Sequence, residues 1–434
     1  MATDDFRVSR RRFLRDAAIG AGAFAIAGRR AFGAFPQSAA PALPPPAQSG
    51  IEHIVVMMME NRSFDHFLGW VPGAEGRQAG LTFFDNAGVA HATHPLAPDY
   101  QGCGHPDPDH SYEGGRVEYN GGACDGWLRA GQNDDYAIGY YVASDLAFLS
   151  RAAPDWTVGD HYFASIMAAT FPNRMYQHAA QTDRLHNTFE LSTLPTIWDR
   201  LAERGLTGRY YFNDAPFLGL WGLKYASISR LYPSFLDDCA AGTLPHVSYV
   251  DPRFVQEPTG TTNDDHPHGD IRNGEAFMNE VYTAVTRSPA WMNTVLVINF
   301  DEWGGFFDHV PPPSGPIPTA DQAAGNTDGL FGFRVPLFVI SPFARRKTIT
   351  PLVLDHTSIL RLIEWRWDLA PLTVRDATAT NLAEALDFAK SRRQAPHYPV
   401  PPGPFGAPCP NVPLNFSGEW RTVVELARSY GWSI

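Results

Sequence analysis

Residues 51–69, which read IEHIVVMMMENRSFDHFLG, contain the clearest structural signal in this chain of 434 amino acids. Residues 54–59 form an unbroken apolar run of strand length, a pattern typical of a strand covered on both faces of a parallel sheet. Glu60 and Asn61 follow directly, so two oxygen ligands are expected at the carboxyl end of this strand. Ser63 has the character of an N-cap for a short helix. The stretch therefore predicts the first strand and helix of an open α/β sheet, which binds ligands at this edge.

A second stretch repeats this pattern near residue 300. Residues 294–300 form a largely apolar run that ends in the acid pair Asp301-Glu302. Two parallel strands that each end in adjacent oxygen ligands would bring those ligands together around a single cation. Gly304-Gly305 would let the backbone pass close to that cation. The predicted fold class is α/β, with a central mostly parallel sheet and helices on both faces.

The remaining periodicity predicts further helices and strands in alternation. Helices are expected over residues 136–152, 196–204, 275–287, 355–367 and 419–430. Strands are expected over residues 208–212, 246–250 and 335–341, and residues 396–413 are proline-rich and extended. Residues 70–128, rich in Gly, Pro, Asp and His, form a loop-rich insertion of a length that usually carries function.

Residues 165–176, which read SIMAATFPNRMY, place a hydroxyl near a predicted helix start. Pro172 is typical of a first helical turn, so Thr170 is expected near the helix N-terminus, where amide groups and the helix dipole favour an anion. A threonine hydroxyl needs a metal or a base to become a nucleophile, and Glu60 and Asn61 are candidates to hold that metal. The alternative is that Thr170 merely caps the helix.

The first 34 residues are interpreted as a twin-arginine signal peptide. Arg10-Arg11-Arg12 precede a mild apolar stretch over residues 17–28 and a small-residue cleavage site at residues 31–34. The apolar stretch is too short for a stable membrane anchor, although an anchor or a basic tail is the alternative. Residues 35–50 are a predicted linker, and residues 51–434 a single domain. This interpretation implies the twin-arginine export machinery as a partner and a periplasmic or secreted protein.

Composition favours a large folded domain and argues against nucleic acid as a partner. The chain is 44% hydrophobic and 13% aromatic, which is enough for a large core. Its net charge is −12, and the part after residue 34 is more acidic still, because seven Arg and three Asp precede it. Such a surface repels a phosphate backbone.

Four cysteines occur, at positions 103, 124, 239 and 409, without the CxxC spacing of a zinc ribbon. In an exported protein they can pair, and Cys103–Cys124 is the expected disulfide because both residues lie in the insertion. Free buried thiols are the alternative.

Three segments together resemble one protein family. They are residues 60–66 (ENRSFDH), 170–174 (TFPNR) and 301–310 (DEWGGFFDHV), and the similarity extends to residues 160–163, 263–267 and 355–359. The combination resembles the phosphoesterase family of bacterial phospholipases C and acid phosphatases, in the alkaline-phosphatase-like superfamily, over roughly residues 51 to 370. The resemblance implies an alkaline-phosphatase-like fold and hydrolysis of phosphate esters.

Under this resemblance Thr170 carries a covalent phospho-intermediate, and histidines move the protons. His266 is the first candidate because it lies in a dense polar cluster of the sequence, and His356 is the last because it also fits a helix start. The expected catalytic residues are Thr170, His266, His110 and His309. The expected substrate-binding residues are Asn173, Arg174 and His268, and the expected metal ligands are Glu60, Asn61, Thr170, Asp301 and Glu302.

These metal ligands offer oxygen alone, which favours one hard divalent cation such as Mg, Ca or Mn, with Zn as the alternative. The leading hypothesis is an exported metal-dependent phospholipase C that hydrolyses phosphatidylcholine-type phospholipids through a phospho-threonine intermediate. A phosphomonoesterase of the acid-phosphatase kind, acting on small phosphate esters, is the second hypothesis. An inactive exported metal-binding protein is the third, and the complete catalytic set argues against it.

Overall fold

A computed structural model describes residues 42–410 and 418–434. The predicted signal peptide and most of the predicted linker therefore lie outside the described residues. The end of that linker is part of the domain. Leu43 packs against the core, Pro46–Gln48 form a 3-10 turn that contacts the helix over residues 356–367, and Ser49 is buried. Leu43 gives this segment apolar area to bury, which the sequence interpretation had overlooked.

The described chain alternates short strands with helices. The strands are β1 (His53–Met59), β2 (Thr82–Phe84), β3 (Ala90–Ala92), β4 (His94–Pro95), β5 (Gly139–Tyr140), β6 (Thr157–Gly159), β7 (Tyr162–Phe163), β8 (Gly208–Phe212), β9 (Ser229–Leu231), β10 (Val247–Val250), β11 (Thr294–Phe300), β12 (Leu337–Ile340), β13 (Thr348–Thr350) and β14 (Leu354–Asp355). The α-helices are α1 (Phe64–Leu68), α2 (Tyr112–Tyr119), α3 (Leu149–Ala152), α4 (Thr170–Ala179), α5 (Ile197–Glu203), α6 (Pro233–Ala241), α7 (Ile271–Arg287), α8 (Thr319–Ala324), α9 (His356–Trp367), α10 (Val374–Thr378) and α11 (Glu419–Ser429).

Eight of the strands form one sheet in the order β13-β6-β12-β11-β1-β10-β8-β9. From β11 to β9 all neighbours are parallel, whereas β12 runs antiparallel to both β11 and β6. All seven residues of β11 are buried, and because successive side chains point to opposite faces, both faces of the sheet are covered. The predicted α/β class with a mostly parallel central sheet is confirmed.

The two apolar strands predicted from the sequence, β1 and β11, lie side by side in the middle of this sheet. In their parallel register Met59 is opposite Phe300, and the amide of Asp301 donates to the Met59 carbonyl oxygen at 3.1 Å. Glu60 and Asp301 follow these two residues and therefore lie next to each other at the carboxyl end of the sheet.

Most other predicted elements are confirmed, with small shifts at their ends. α5, α7, α9 and α11 match four of the expected helices, and β8, β10 and β12 match the three further expected strands. Ser63 caps α1 as predicted, accepting from the His66 amide at 3.2 Å. The proline-rich segment from residue 396 contains neither helix nor strand up to residue 410. None of the described helices is long and apolar enough to span a lipid bilayer.

The helix predicted over residues 136–152 is wrong. This segment contains the 3-10 turn Asp135–Ile138, the strand β5 and the four-residue helix α3. Asp134 accepts from the Tyr136 amide and so starts a separate turn. Gly139 is packed so tightly that a Cβ there would lie 2.3 Å from Leu96 Cδ2. The helical spacing of apolar residues comes from a loop that is buried against the core.

The predicted Cys103–Cys124 disulfide is also wrong. Cys103 is bonded to Cys409, 306 residues further along the chain, with 5.2 Å between the two Cα atoms. Cys124 and Cys239 are buried free thiols. The bridge anchors the C-terminal segment on the insertion, a pairing that proximity in the sequence could not indicate.

Candidate active site

The residues that follow β1 and β11 meet at the carboxyl edge of the sheet. They are Glu60-Asn61 and Asp301-Glu302, called the acid pairs below although Asn61 is an amide. The Asn61 amide donates to Asp301 Oδ1 at 3.1 Å, and the Glu302 amide donates to the same oxygen at 2.7 Å. Asn61 has a left-handed backbone with φ of 59°, a conformation that asparagine tolerates better than most residues. Glu60, Asn61, Asp301 and Glu302 are fully buried. The two strand ends thus form one constellation, as their sequence pattern predicted.

The glycines that follow β11 let the chain close over this edge. Gly304 and Gly305 have φ of 65° and 70°. A Cβ on Gly304 would lie 2.1 Å from the Asn61 carbonyl oxygen, and one on Gly305 would lie 2.6 Å from Pro108 Cβ. Any side chain at these positions would therefore push Asn61 or the insertion away from the site.

Three of the four residues of the acid pairs each have a buried side-chain oxygen that accepts no hydrogen bond within the described part of the chain: Glu60 Oε1, Asn61 Oδ1 and Glu302 Oε1. Leaving a buried polar group without a partner costs about 1–3 kcal/mol, and more for a charged group. A divalent cation would satisfy them with the hard oxygen ligands that it prefers. The residues present therefore fit the predicted metal site.

The carboxylates at this edge are poorly suited to an interior without added positive charge. Burial raises the pKa of Glu60 well above its ordinary value although Arg174 lowers it, and burial also raises the pKa of Asp301. Burial raises the pKa of Glu302 to about 8, against the lowering effect of His110. A cation would lower all three pKa values and keep the carboxylates ionised.

Arg174 already supplies part of that positive charge. Its Nε lies 3.3 Å from Glu60 Oε1 and 3.2 Å from Asp301 Oδ2. Its Nη1 lies 3.0 Å from Asp251 Oδ1, and the side chain is only 2% exposed. These contacts make Arg174 the link between helix α4 and both acid pairs, and its substrate-binding role stays a prediction.

Thr170 is the first residue of α4 and is 4% exposed. The N-cap position belongs to Ala169, so Thr170 does not have the capping role that was the alternative. Arg174 follows Thr170 by four residues, which places the two side chains on one face of the helix. Thr170 therefore lies on the same face of α4 as Arg174, which contacts both acid pairs.

Asn173 holds the loop that precedes this helix. Its side-chain oxygen accepts from the Ile166 amide at 3.1 Å. Its side-chain nitrogen donates to the carbonyl oxygens of Ala168 at 2.7 Å and Ala169 at 3.2 Å. Because the buried amide is engaged with backbone, these contacts shape the turn before Thr170, and the substrate-binding role of Asn173 stays a prediction.

His110, on the insertion, faces the oxygens of the acid pairs. Its Nδ1 lies 2.7 Å from the Pro108 carbonyl oxygen. Its Nε2 lies 3.3 Å from Asn61 Nδ2 and 3.8 Å from Glu302 Oε1. Burial alone would lower the pKa of His110, but the charges of Glu302 and Asp107 outweigh burial and raise the pKa to about 9. The structure thus brings this predicted catalytic residue to the site.

His266 lies next to His110, with 6.0 Å between their ring centroids. Its Nδ1 lies 3.2 Å from Glu257 Oε2, and its Nε2 lies 3.7 Å from Asp107 Oδ2. Burial lowers the pKa of His266, but Glu257 and Asp107 raise it well above its ordinary value. The two histidines therefore form a pair of groups able to carry protons beside the acid pairs.

His309 and His268 make other contacts. His309 Nδ1 lies 2.5 Å from Asp65 Oδ2, in a buried cluster where Arg334 Nη2 lies 3.1 Å from Asp65 Oδ1. His268 Nε2 lies 3.1 Å from the carbonyl oxygen of His105. These contacts tie both histidines to neighbouring loops, and their catalytic and substrate-binding roles stay predictions.

Trp420 and Asn187 are among the residues at the site that the sequence analysis missed. Trp420 Nε1 donates to Glu60 Oε2 at 3.3 Å, across 360 residues of sequence. Asn187 Oδ1 accepts from the Phe171 amide, directly after Thr170, at 2.8 Å. No motif or periodicity joins these residues to the acid pairs, so the sequence held no signal for them.

A helix start that favours an anion, next to residues that could hold a cation, suits attack on a phosphate ester, because both features would stabilise the negative charge of a phosphoryl group. The fold and the site define a phosphoric ester hydrolase, whose substrate is a phosphate ester.

Comparison with known proteins agrees with this class. The model of the phosphoesterase family matches residues 51–370, and the chain belongs to that family. It is 31% identical to Non-specific phospholipase C1 of Arabidopsis thaliana, over 80% of this chain and 73% of that protein. It is 32% identical to Phospholipase C B of Mycobacterium tuberculosis, over 88% of this chain and 86% of that protein. A solved structure from the alkaline phosphatase superfamily, from Vibrio parahaemolyticus, aligns with a TM-score of 0.40 at 9% identity, covering 78% of this chain and 71% of its own.

Proposed function

We propose that this protein is a metal-dependent phospholipase C that hydrolyses phosphatidylcholine-type phospholipids through a covalent phospho-threonine intermediate at Thr170. The observation that carries the proposal is helix α4, which begins with Thr170 and whose Arg174 pairs with both Glu60 and Asp301. The names of the relatives, which are phospholipases C, support a diester rather than a monoester as substrate.

The proposed cation is held by Glu60, Asn61, Asp301 and Glu302, and Thr170 completes the set. Their oxygen atoms favour Mg, Ca or Mn over a metal that prefers thiolate. When bound, such a cation lowers the pKa of a nearby hydroxyl and withdraws negative charge from a phosphoryl group. The side-chain oxygens of Glu60, Asn61 and Glu302 that accept no hydrogen bond among the described residues support this assignment.

The proposed reaction consists of two displacements at phosphorus. In the first, the Thr170 hydroxyl gives its proton to one histidine while Oγ1 forms a bond to phosphorus, and the bond from phosphorus to the diacylglycerol oxygen breaks. The departing oxygen takes a proton from a histidine and leaves as a neutral alcohol. In the second, a water molecule gives a proton to a histidine and its oxygen bonds to phosphorus. The bond to Thr170 breaks, its oxygen regains a proton, and the phosphorylated headgroup is released.

His266 and His110 are the proton carriers in this scheme. They lie together, and His110 is within 3.3 Å of Asn61. Asp107 and Glu257 face the His266 ring and fix its orientation, which a proton carrier needs in order to reach both the leaving oxygen and the water.

The proposal includes export. Residues 1–34 have the form of a twin-arginine signal peptide, which would bring the protein to the periplasm or the exterior through the twin-arginine machinery. The Cys103–Cys409 disulfide fits an oxidising compartment. An enzyme in that location would meet phospholipid from outside the cytoplasm.

Two chromogenic substrates test this proposal in one experiment. Purified protein is given p-nitrophenyl phosphorylcholine, a diester, or p-nitrophenyl phosphate, a monoester, with added Mg, Ca or Mn or with a chelator. We expect faster hydrolysis of the diester and loss of activity in the chelator. Preference for the monoester would instead identify an acid phosphatase at the same site. No hydrolysis of either substrate with any metal would favour the inactive metal-binding protein.

A further inference from the structure

The C-terminal helix α11 begins at the active site. Trp420, its second residue, is 5% exposed, and its indole N–H donates to Glu60 Oε2 at 3.3 Å. The other oxygen of this carboxylate, Oε1, is the one that makes no hydrogen bond. Trp420 thus occupies Oε2 of Glu60, whereas Oε1 accepts no hydrogen bond, has Arg174 Nε at 3.3 Å, and can still face a cation.

The indole is held in a fixed orientation. It stacks on Phe254 with 3.9 Å between ring centroids and 10° between ring planes, and its centroid lies 5.4 Å from that of Phe171. The Arg174 guanidinium lies over both stacked rings, 4.7 Å from the Phe254 centroid and 5.3 Å from the Trp420 centroid. A ring packed on several sides points its N–H in one direction, so the Glu60 carboxylate is held in one orientation.

The first residue of α11 contacts the opposite side of the site. Glu419 accepts a hydrogen bond from Asn187 Nδ2, and Asn187 Oδ1 accepts from the Phe171 amide at 2.8 Å. The first turn of this helix therefore contacts both a proposed metal ligand, Glu60, and the loop that holds the peptide after Thr170.

We propose that Trp420 is a positioning residue for metal binding, which orients Glu60 so that Oε1 faces the cation. The inference rests on the metal site of the proposed function. Side chains that hydrogen-bond to a metal ligand orient it before the metal arrives, and their loss typically weakens metal binding about 10- to 100-fold. In this protein that role belongs to the helix at the C-terminal end of the chain.

The test measures Mn²⁺ affinity by titration calorimetry on metal-free protein, without any substrate. Trp420→Phe keeps an aromatic ring on Phe254 and removes the N–H. The matched control is Trp432→Phe, because Trp432 is also a buried tryptophan of the C-terminal segment but donates to the Gly222 carbonyl oxygen at 2.9 Å. We expect Trp420→Phe to weaken Mn²⁺ binding at least about 10-fold and Trp432→Phe to leave it unchanged. Trp420→Leu, whose side chain has no hydrogen-bond donor, repeats the test if the first variant does not fold.

Three outcomes would contradict the proposal, and each would contradict a different part of it. Wild-type affinity in folded Trp420→Phe would exclude the positioning role. Equal weakening in both variants would show that docking of the C-terminal segment matters, rather than the hydrogen bond to Glu60. If the wild-type protein binds neither Mn²⁺ nor Mg²⁺ or Ca²⁺, the proposed metal site itself is wrong, and the inference falls with it.

Discussion

Arg174 carries a full positive charge into the most acidic part of the interior. Burial alone would lower the pKa of this arginine. The charges of Asp251, Glu60 and Asp301 outweigh burial and raise the pKa, so the side chain stays charged. Removing one partner from a buried ion pair costs about 3–5 kcal/mol, because it leaves the other charges uncompensated. Arg174 therefore stabilises the fold and also holds the acid pairs in the arrangement that a cation needs.

We expect Asp301→Asn to lower metal content and activity together. Asp301 Oδ1 accepts from the Asn61 and Glu302 amides, which an asparagine oxygen can also do, while the change removes the negative charge that faces Arg174 and attracts a cation. Metal affinity should fall at least about 10-fold, as measured by elemental analysis of dialysed protein alongside the hydrolysis rate.

The matched control for this change is Asp376→Asn, at a buried carboxylate that caps helix α10. It should leave metal content and activity unchanged. If Asp301→Asn keeps its metal and loses activity, Asp301 acts on the reacting groups rather than as a ligand.

Helix α7 carries a carboxyl group that makes stability depend on pH. Glu275 Oε2 accepts from the Leu149 amide at 3.1 Å and also from the Phe148 amide, which ties α7 to the start of α3. Burial raises the pKa of Glu275 from 4.5 to about 7, against the lowering effect of these amides. Between these values the folded protein keeps a proton that the unfolded chain has lost. Stability therefore falls as pH rises through this range and levels off above it.

We expect Glu275→Gln to remove this pH dependence. Relative to the variant, the wild-type protein should lose about 3 kcal/mol of unfolding free energy between about pH 4 and pH 8, measured by urea unfolding. Glu280→Gln, at an exposed position of the same helix, serves as the control and should follow the wild-type profile. Parallel profiles for the wild-type protein and Glu275→Gln would show that Glu275 is ionised in the folded state at neutral pH.

The elements that could be predicted from the sequence are those that local pattern specifies. The apolar runs of β1 and β11 define two buried strands, and the acids that end them define the ligands without reference to distant residues. The segment over residues 136–152 failed because burial of a loop can imitate helical spacing. The Cys103–Cys409 disulfide and the Trp420–Glu60 hydrogen bond could not be predicted from the sequence, because 306 and 360 residues separate the partners.

At the level of the whole molecule, the Cys103–Cys409 bridge joins the insertion to the C-terminal segment. Gln101 Nε2 donates to the Ala407 carbonyl oxygen at 2.6 Å, and the Cys409 amide donates to the Pro258 carbonyl oxygen at 2.8 Å. These contacts lie close in sequence to Asp107 and Glu257, which face His266. The bridge therefore fixes the loops that hold the proton-carrying histidines.

We expect the double variant Cys103→Ser/Cys409→Ser to lose about 2–5 kcal/mol of unfolding free energy, because a disulfide that closes a long loop restricts the unfolded chain. Reducing agent should destabilise the wild-type protein by a similar amount and leave the double variant unchanged. Cys239→Ser, at a buried free thiol, controls for the loss of a sulfur atom. A stability that is insensitive to reducing agent in the wild-type protein would contradict the pairing.

Phosphorylation of Thr170 is the most direct consequence of the proposed chemistry. The wild-type protein is quenched in acid during turnover of p-nitrophenyl phosphorylcholine, digested, and analysed by mass spectrometry. We expect a phosphorylcholine adduct on the peptide that contains Thr170. Thr170→Ala should give no adduct and keep its fold, with turnover reduced more than about 1,000-fold. An adduct on a different residue, or full turnover by Thr170→Ala, would contradict the assignment of Thr170 as the nucleophile.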